Sequence, residues 1–341
     1  MEKLFFIFII LAIASCTPTA QSDAYSIGFY NVENLFDTED DPSKYDEWFT
    51  PTSPIKWDND KYNAKLENLS VVINQLADKE MPHFLGLCEI ENRKVLEDLV
   101  SQPLLERANY KIVHFESPDE RGIDVAFLYN SEVFKVTDSK NYVLDLGEFK
   151  DRTRDILWIK GKVGNGETLH FIVNHWPSRG EGRRESEPKR IAAAKRLKSI
   201  KDDILKDDKN AKIIIMGDFN DEPSNTSISE HLNSKGNASQ TTSNDLFNPM
   251  VDLEDEDLGS YKYRHWWDML DQIMLSEALI NNSLGLQYKE RSVGIKDDEW
   301  LRQHGSKYEG FPLRTYGGQK YLNGYSDHFP VYIKLIINTT Q

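Results

Sequence analysis

The run Lys212-Ile213-Ile214-Ile215-Met216-Gly217-Asp218-Phe219-Asn220 is apolar, β-branched and too short for a typical helix, and it breaks at a glycine followed by Asp-x-Asn. It reads as a buried strand that carries an acid and an amide to a sheet edge, with Gly217 permitting a sharp exit. If the backbone stays extended, Asp218 and Asn220 point to the same side. An acid so placed can activate water or hold a metal, and an amide can orient that water or a phosphate oxygen. Alone, the pattern fits a plain strand-ending turn equally well. Five further runs end in a similar way. Phe29-Tyr30-Asn31-Val32-Glu33-Asn34 supplies an amide and a carboxylate, Leu85-Gly86-Leu87-Cys88-Glu89 a carboxylate, and Val173-Asn174-His175-Trp176 a histidine. Asp271 precedes the run to Leu275, with Asp268 as its nearest rival, and Asp327-His328 stand side by side before Val331.

Elements must hold these residues together. Strand-like runs are expected at 26–30, 83–88, 110–115, 123–129, 133–137, 156–163, 168–174, 213–216, 272–275 and 331–337, with an antiparallel, β-rich middle section. Helical spacing of Leu66, Leu69, Ile73 and Leu76 predicts a helix over 63–78. Two more are predicted over 92–100 and 188–205. Strands grouped with flanking helices imply packed sheets covered by helices, an α/β (α+β) class.

The first residues look like an export signal. Lys3 precedes the apolar run Leu4 to Ile13, long enough for a signal peptide and short for a membrane span. Ile13-Ala14-Ser15-Cys16 resembles the lipobox of bacterial lipoproteins, which makes Cys16 a lipid-carrying anchor and residues 1–22 signal peptide and tether. The expected location is therefore the bacterial cell envelope, periplasmic or at the cell surface. With Cys88 the only other cysteine, no intramolecular disulfide follows. Residues 23–341 show no linker or repeat and read as one domain. A formal net charge of −15 argues against a broad basic cradle for nucleic acid, while leaving room for a locally positive cleft.

Taken in order, Asn-Val-Glu-Asn at 31–34, Glu89, His175, Gly-Asp-Phe-Asn at 217–220, Asp271 and Ser-Asp-His at 326–328 resemble the endonuclease/exonuclease/phosphatase superfamily. That superfamily contains deoxyribonuclease I-like nucleases, abasic-site endonucleases, neutral sphingomyelinases and inositol-polyphosphate 5-phosphatases. The resemblance implies a four-layer sandwich, two mixed β-sheets face to face with outer helices, and catalytic groups at one end of the sheets. It implies a divalent-metal-dependent phosphoesterase in which water attacks phosphorus in line. Glu89 becomes the principal ligand for Mg²⁺ or Mn²⁺, assisted by Asn31 at the metal or phosphate side. Asp218 orients or deprotonates the water, and Asn220 positions it and the phosphate. His175 and His328 face the phosphate, Asp271 polarises a neighbour, and Asp327 either orients a histidine or joins the metal. Glu33 is a candidate metal neighbour, and Arg154 either faces the phosphate or makes a surface salt bridge.

Substrate choice is expected in two insertions, residues 38–62 with Trp48, Phe49 and Trp57, and residues 291–325 with Arg314, Tyr316, Lys320, Tyr321 and Tyr325. Aromatics beside basic groups can stack on a base or bind a sugar or headgroup, or simply pack the loops down. A nuclease or other phosphodiesterase leads, with nucleic acid favoured over a lipid headgroup. A sphingomyelinase-like phospholipase or phosphomonoesterase follows, and a non-catalytic binding lipoprotein is the reading from another class. Beyond substrate and membrane, no protein partner is implied.

Overall fold

The computed structural model describes residues 24–149, 151–281 and 285–338, so the leader and Cys16 lie outside the described residues. Two seven-stranded mixed sheets make up its centre. The first contains β1 (Ala24–Leu35), β2 (Phe84–Ile90), β3 (Tyr110–His114), β4 (Asp124–Asn130) and, from later in the chain, β10 (Gly285–Tyr288) and β11 (Val331–Asn338). Its order is β10-β11-β1-β2-β4-β3, with the short strand 294–295 paired to β11. The second sheet starts with β5 (Phe134–Tyr142), β6 (Ile156–Val163), β7 (Thr168–His175), β8 (Lys212–Asp218) and β9 (Asp271–Ser276), in that order, and ends in two-residue strands at 246–247 and 234–235.

Strand alternation sorts the side chains into layers. Ile27 and Phe29 of β1, Phe84 and Cys88 of β2, and Ile214 and Met216 of β8 point between the sheets, where Phe171 lies 4.7 Å from both Phe84 and Phe127. Tyr30 and Val32 point outward beneath α1 (Asn59–Asn74) and α2 (Arg93–Val100), which cover them with Leu66, Leu69, Val95 and Leu96. Ile213 and Ile215 point outward beneath α3 (Arg183–Asp207), against Ala193, Ala194, Leu197 and Ile200. Three apolar interfaces between four layers are the expected sandwich.

Several bounds differ from expectation for local reasons. Helix α1 starts four residues early because Asp58 caps it, accepting from Lys61 N–H at 3.1 Å. Helix α3 starts at Arg183 and runs through Pro188, which has no N–H to give the carbonyl one turn back. Gly217 is no exit hinge. It lies inside β8, and a Cβ there would come within 2.5 Å of the Asn174 carbonyl of β7, so its role is close strand approach.

Candidate active site

Three residues of the second sheet stand abreast. Parallel pairing sets His175 of β7 opposite Asp218, and antiparallel pairing sets Asp271 of β9 opposite Asp218 from the other side. Asp218 Oδ1 accepts the Asn220 N–H at 2.9 Å, and Oδ2 accepts from Asn31 Nδ2 at 3.0 Å, which ties the two sheets together. His175 Nε2 lies 3.6 Å and His328 Nε2 3.9 Å from the same Oδ2. His328 Nδ1 is 2.6 Å from Asp271 Oδ2, so Asp271 and not the adjacent Asp327 orients this ring. Tyr261 packs on its face with centroids 4.8 Å apart.

The first sheet contributes from bent strand ends. Glu33, Asn34 and Glu89 have positive φ, which turns the backbone out of the sheet. The Asn34 N–H holds Glu89 Oε2 at 2.9 Å, and Glu89 Oε1 stays on the cleft side, 3.9 Å from Arg121. Glu33, the candidate metal neighbour, is held by the chain itself. Its buried oxygens are engaged by Arg314 Nε at 3.1 Å and the Thr315 N–H at 2.7 Å, so it anchors the 314–315 segment. Asp327 pairs with the same Arg314 at 2.9 Å and still lines the cleft.

Asn220 also departs from the extended picture. Its φ is +49°, and its amide donates to the Trp176 carbonyl at 3.1 Å, so its side chain diverges from Asp218 while still lining the cleft. Arg154 is buried and not a surface ion pair. It reaches Asp119 at 3.3 Å and the Trp176 carbonyl, while its Nε has no hydrogen-bond partner among the described residues.

These surroundings set opposite protonation states. Burial raises the Asp218 carboxyl to about 7, with His328 opposing the shift and Asp271 adding to it. His175 is pushed well down, by burial first and then by Arg154 and Arg121, so its imidazole is neutral near pH 7. For His328 burial also disfavours charge, but the Asp271 carboxylate outweighs it and raises the ring to about 10. One buried acid poised to accept a proton therefore faces one neutral and one cationic imidazole.

The cleft, about 1010 Å³, gathers Asn31, Glu89, Arg154, His175, Asp218, Asn220, Asp327 and His328, with Asp271 behind them. Glu89, Asp218 and Asp327 line this cavity with carboxylates, the hard oxygen donors a divalent cation takes, and Asp218, Asp271 and His328 offer ligand atoms within 4.8 Å of one another. Cys88, His175 and Asp218 also offer ligand atoms within 4.8 Å of one another, but burial pushes the Cys88 thiol well up and keeps it protonated.

Some residues escaped the sequence reading. Arg179 donates to the Asn220 carbonyl at 2.7 Å, to Asp268 at 3.1 Å and to Asn225 at 3.0 Å, fixing the loop after β8; its signal was a lone arginine in the Pro-Ser-Arg-Gly stretch just after His175. Asp268, the rival of Asp271, serves this arginine. Ser326 Oγ donates to the Asn31 carbonyl at 2.7 Å, and buried Lys65 holds Thr315 Oγ1 at 2.7 Å. Nothing in the spacing of Lys65 foretold that.

A two-sheet sandwich with a carboxylate, amide and imidazole floor at one end defines the class of metal-dependent phosphoesterases. The family model described as Endonuclease/Exonuclease/phosphatase family matches residues 26–336, and the chain belongs to that family. It is an enzyme that hydrolyses phosphate esters. In fold it is similar to an endonuclease/exonuclease/phosphatase family protein from Bacteroides thetaiotaomicron, with TM-score 0.59, 16% identity and coverage of 94% of this chain and 100% of the other. A mannosyl-6-phosphatase of the same organism gives 0.59 and 16%, covering 92% and 100%. D. rerio TDP2 complexed with a single-strand DNA product gives 0.56 and 14%, covering 92% and 99%. No curated protein sequence matches significantly.

Proposed function

We propose that this chain is a Mg²⁺- or Mn²⁺-dependent phosphodiesterase acting on singly charged diesters, nucleotide-containing ones favoured over lipid headgroups. The observation that carries the diester preference is the state of the cleft's cations. Arg179 is committed to Asp268 and Arg154 to Asp119, which leaves the His328 imidazolium at the floor and Arg121, 3.9 Å from Glu89, at the rim. One negative charge on a diester suits that supply better than two on a monoester.

In this reading Asp218 takes a proton from the attacking water while Asn31 holds the carboxylate in place. His328, fixed by Asp271, donates to a phosphoryl oxygen, and neutral His175 orients the phosphate. Asn220 and Arg154 shape the wall beside them. Glu89, with Asn31 and Asp327, would hold the cation, which when bound neutralises phosphoryl charge and lowers the pKa of water.

The test is a panel of bis-p-nitrophenyl phosphate, p-nitrophenyl phosphate, plasmid DNA, RNA, sphingomyelin and an inositol phosphate, with Mg²⁺, Mn²⁺ or chelator. Diester turnover that chelator removes is the expected result. Activity confined to sphingomyelin or to monoesters overturns the preference. For residues 1–22 the proposal remains a lipoprotein signal and tether leading into one domain over 23–341, supported by Ile13-Ala14-Ser15-Cys16. Detergent partitioning of the full chain, lost in Cys16→Ala, checks it.

A further inference from the structure

A second cavity, about 390 Å³, shares Arg121 with the cleft and begins at Asn34, whose N–H holds Glu89. Its floor is packed aromatic surface. Phe36 and Phe49 stack at 4.1 Å with planes 5° apart, and Trp57 meets Phe49 edge-on at 6.1 Å while its Nε1–H donates to the Phe36 carbonyl. Part of the 38–62 insertion therefore does pack down. Two rings do not: Tyr45 is 67% exposed and Trp48 49% exposed, and both line this cavity. Their segment is tied down. Tyr45 N–H donates to the Glu120 carbonyl at 2.8 Å, and Lys44 Nζ donates to the Asp119 carbonyl at 2.9 Å, in the stretch that carries Arg121.

Large apolar rings held in water beside a phosphoryl site indicate a ligand surface. The polar groups available there narrow its chemistry. Arg314 and Glu33 are bonded to each other, the Arg121 guanidinium has only a 3.9 Å approach to Glu89, and the Asn34 side-chain amide has no hydrogen bond among the described residues. A pyranose needs several paired donors and acceptors around its hydroxyls. A flat ring needs faces to stack on, one or two edge contacts and a cation near its phosphate.

We propose that this cavity is a subsite for the nucleobase of a nucleotide-containing phosphoester, stacked against Trp48 and Tyr45, with Arg121 facing its phosphate and the Asn34 amide its edge. The inference rests on the phosphodiesterase reading and names its substrate class. The experiment compares the p-nitrophenyl ester of thymidine 5′-phosphate with methyl p-nitrophenyl phosphate, which has the same leaving group and no base. Trp48→Ala and Tyr45→Ala should raise KM for the thymidine ester roughly tenfold or more. The methyl ester should keep its kcat/KM, and Trp48→Phe should restore most of the thymidine affinity. Equal effects on both esters, or none on either, overturn the subsite. If the wild-type chain turns over neither ester, the phosphodiesterase reading fails separately. Binding then decides the subsite: thymidine 5′-phosphate should quench tryptophan fluorescence in wild type and not in Trp48→Ala. A hexose 6-phosphate that binds as tightly as thymidine 5′-phosphate overturns the base assignment.

Discussion

In the second sheet, His175, Asp218 and Asp271 sit side by side in unbroken strand register, whereas the first sheet turns left-handed at Glu33 (φ 51°), Asn34 (φ 54°) and Glu89 (φ 62°) as it delivers its acids. Its pairing shifts at those points, between Asn31 and Leu35 and between Cys88 and Ile90. A left-handed non-glycine residue costs about 1–2 kcal/mol, so this backbone persists only where surrounding bonds fix it. The Asn34 N–H on Glu89 is such a bond. Extended strands thus hold the buried His175, Asp218 and Asp271, and bent ends present the less buried Glu89 to the cleft. In the function proposed above, that contrast assigns the general base to the second sheet and the cation to the first.

The largest test of that division is Asp218→Ala. It should lower kcat by about 10²–10⁴-fold while circular dichroism shows the fold retained, with Tm reduced because the buried Asn31 amide and Asn220 N–H lose their acceptor. Retained turnover would place the base elsewhere. Next, Glu89→Gln should raise the Mg²⁺ or Mn²⁺ concentration for half-maximal activity about 10–100-fold. In metal titrations His175→Gln should lower kcat and leave that midpoint in place. Equal shifts in both would break the division between sheets.

Gly217→Ala probes the tightness of the second sheet. Its Cβ would meet the Asn174 carbonyl at 2.5 Å, and urea unfolding should show a loss of about 1–3 kcal/mol. The last effect is confined to acid pH and concerns His170 on β7, which accepts from Trp158 Nε1 at 3.1 Å and is held at about 4 by burial and then Lys160. Its folded pKa lies below the ordinary 6.5, so the unfolded chain binds the proton first as pH falls. The stabilisation is complete above about 6.5 and is lost between there and about 4. Tm should fall over that window, and His170→Gln should flatten the fall.

Much of this was legible because period-two burial leaves a strong pattern. Ile156–Val163 falls where its apolar run predicted, and the six polar strand ends do cluster. What the sequence hid is what depends on backbone geometry or distant contacts. Asn220 leaves the extended conformation, so the assumption that Asp-x-Asn shares one face fails. Glu33 faces Arg314, 281 positions away, a pairing that no local spacing encodes. The partner of His328 is Asp271 of the other sheet, not its covalent neighbour Asp327.

The pairing of β1 with β11, with Ser26 opposite Lys334, has a consequence in time. His328 reaches its place beside Asp218 only when an early strand accepts a very late one, a contact of long loop closure and slow formation. During synthesis nearly the whole domain is made before the cleft exists. A chain still emerging therefore has half a floor, and the cleft is complete only after β11 has docked.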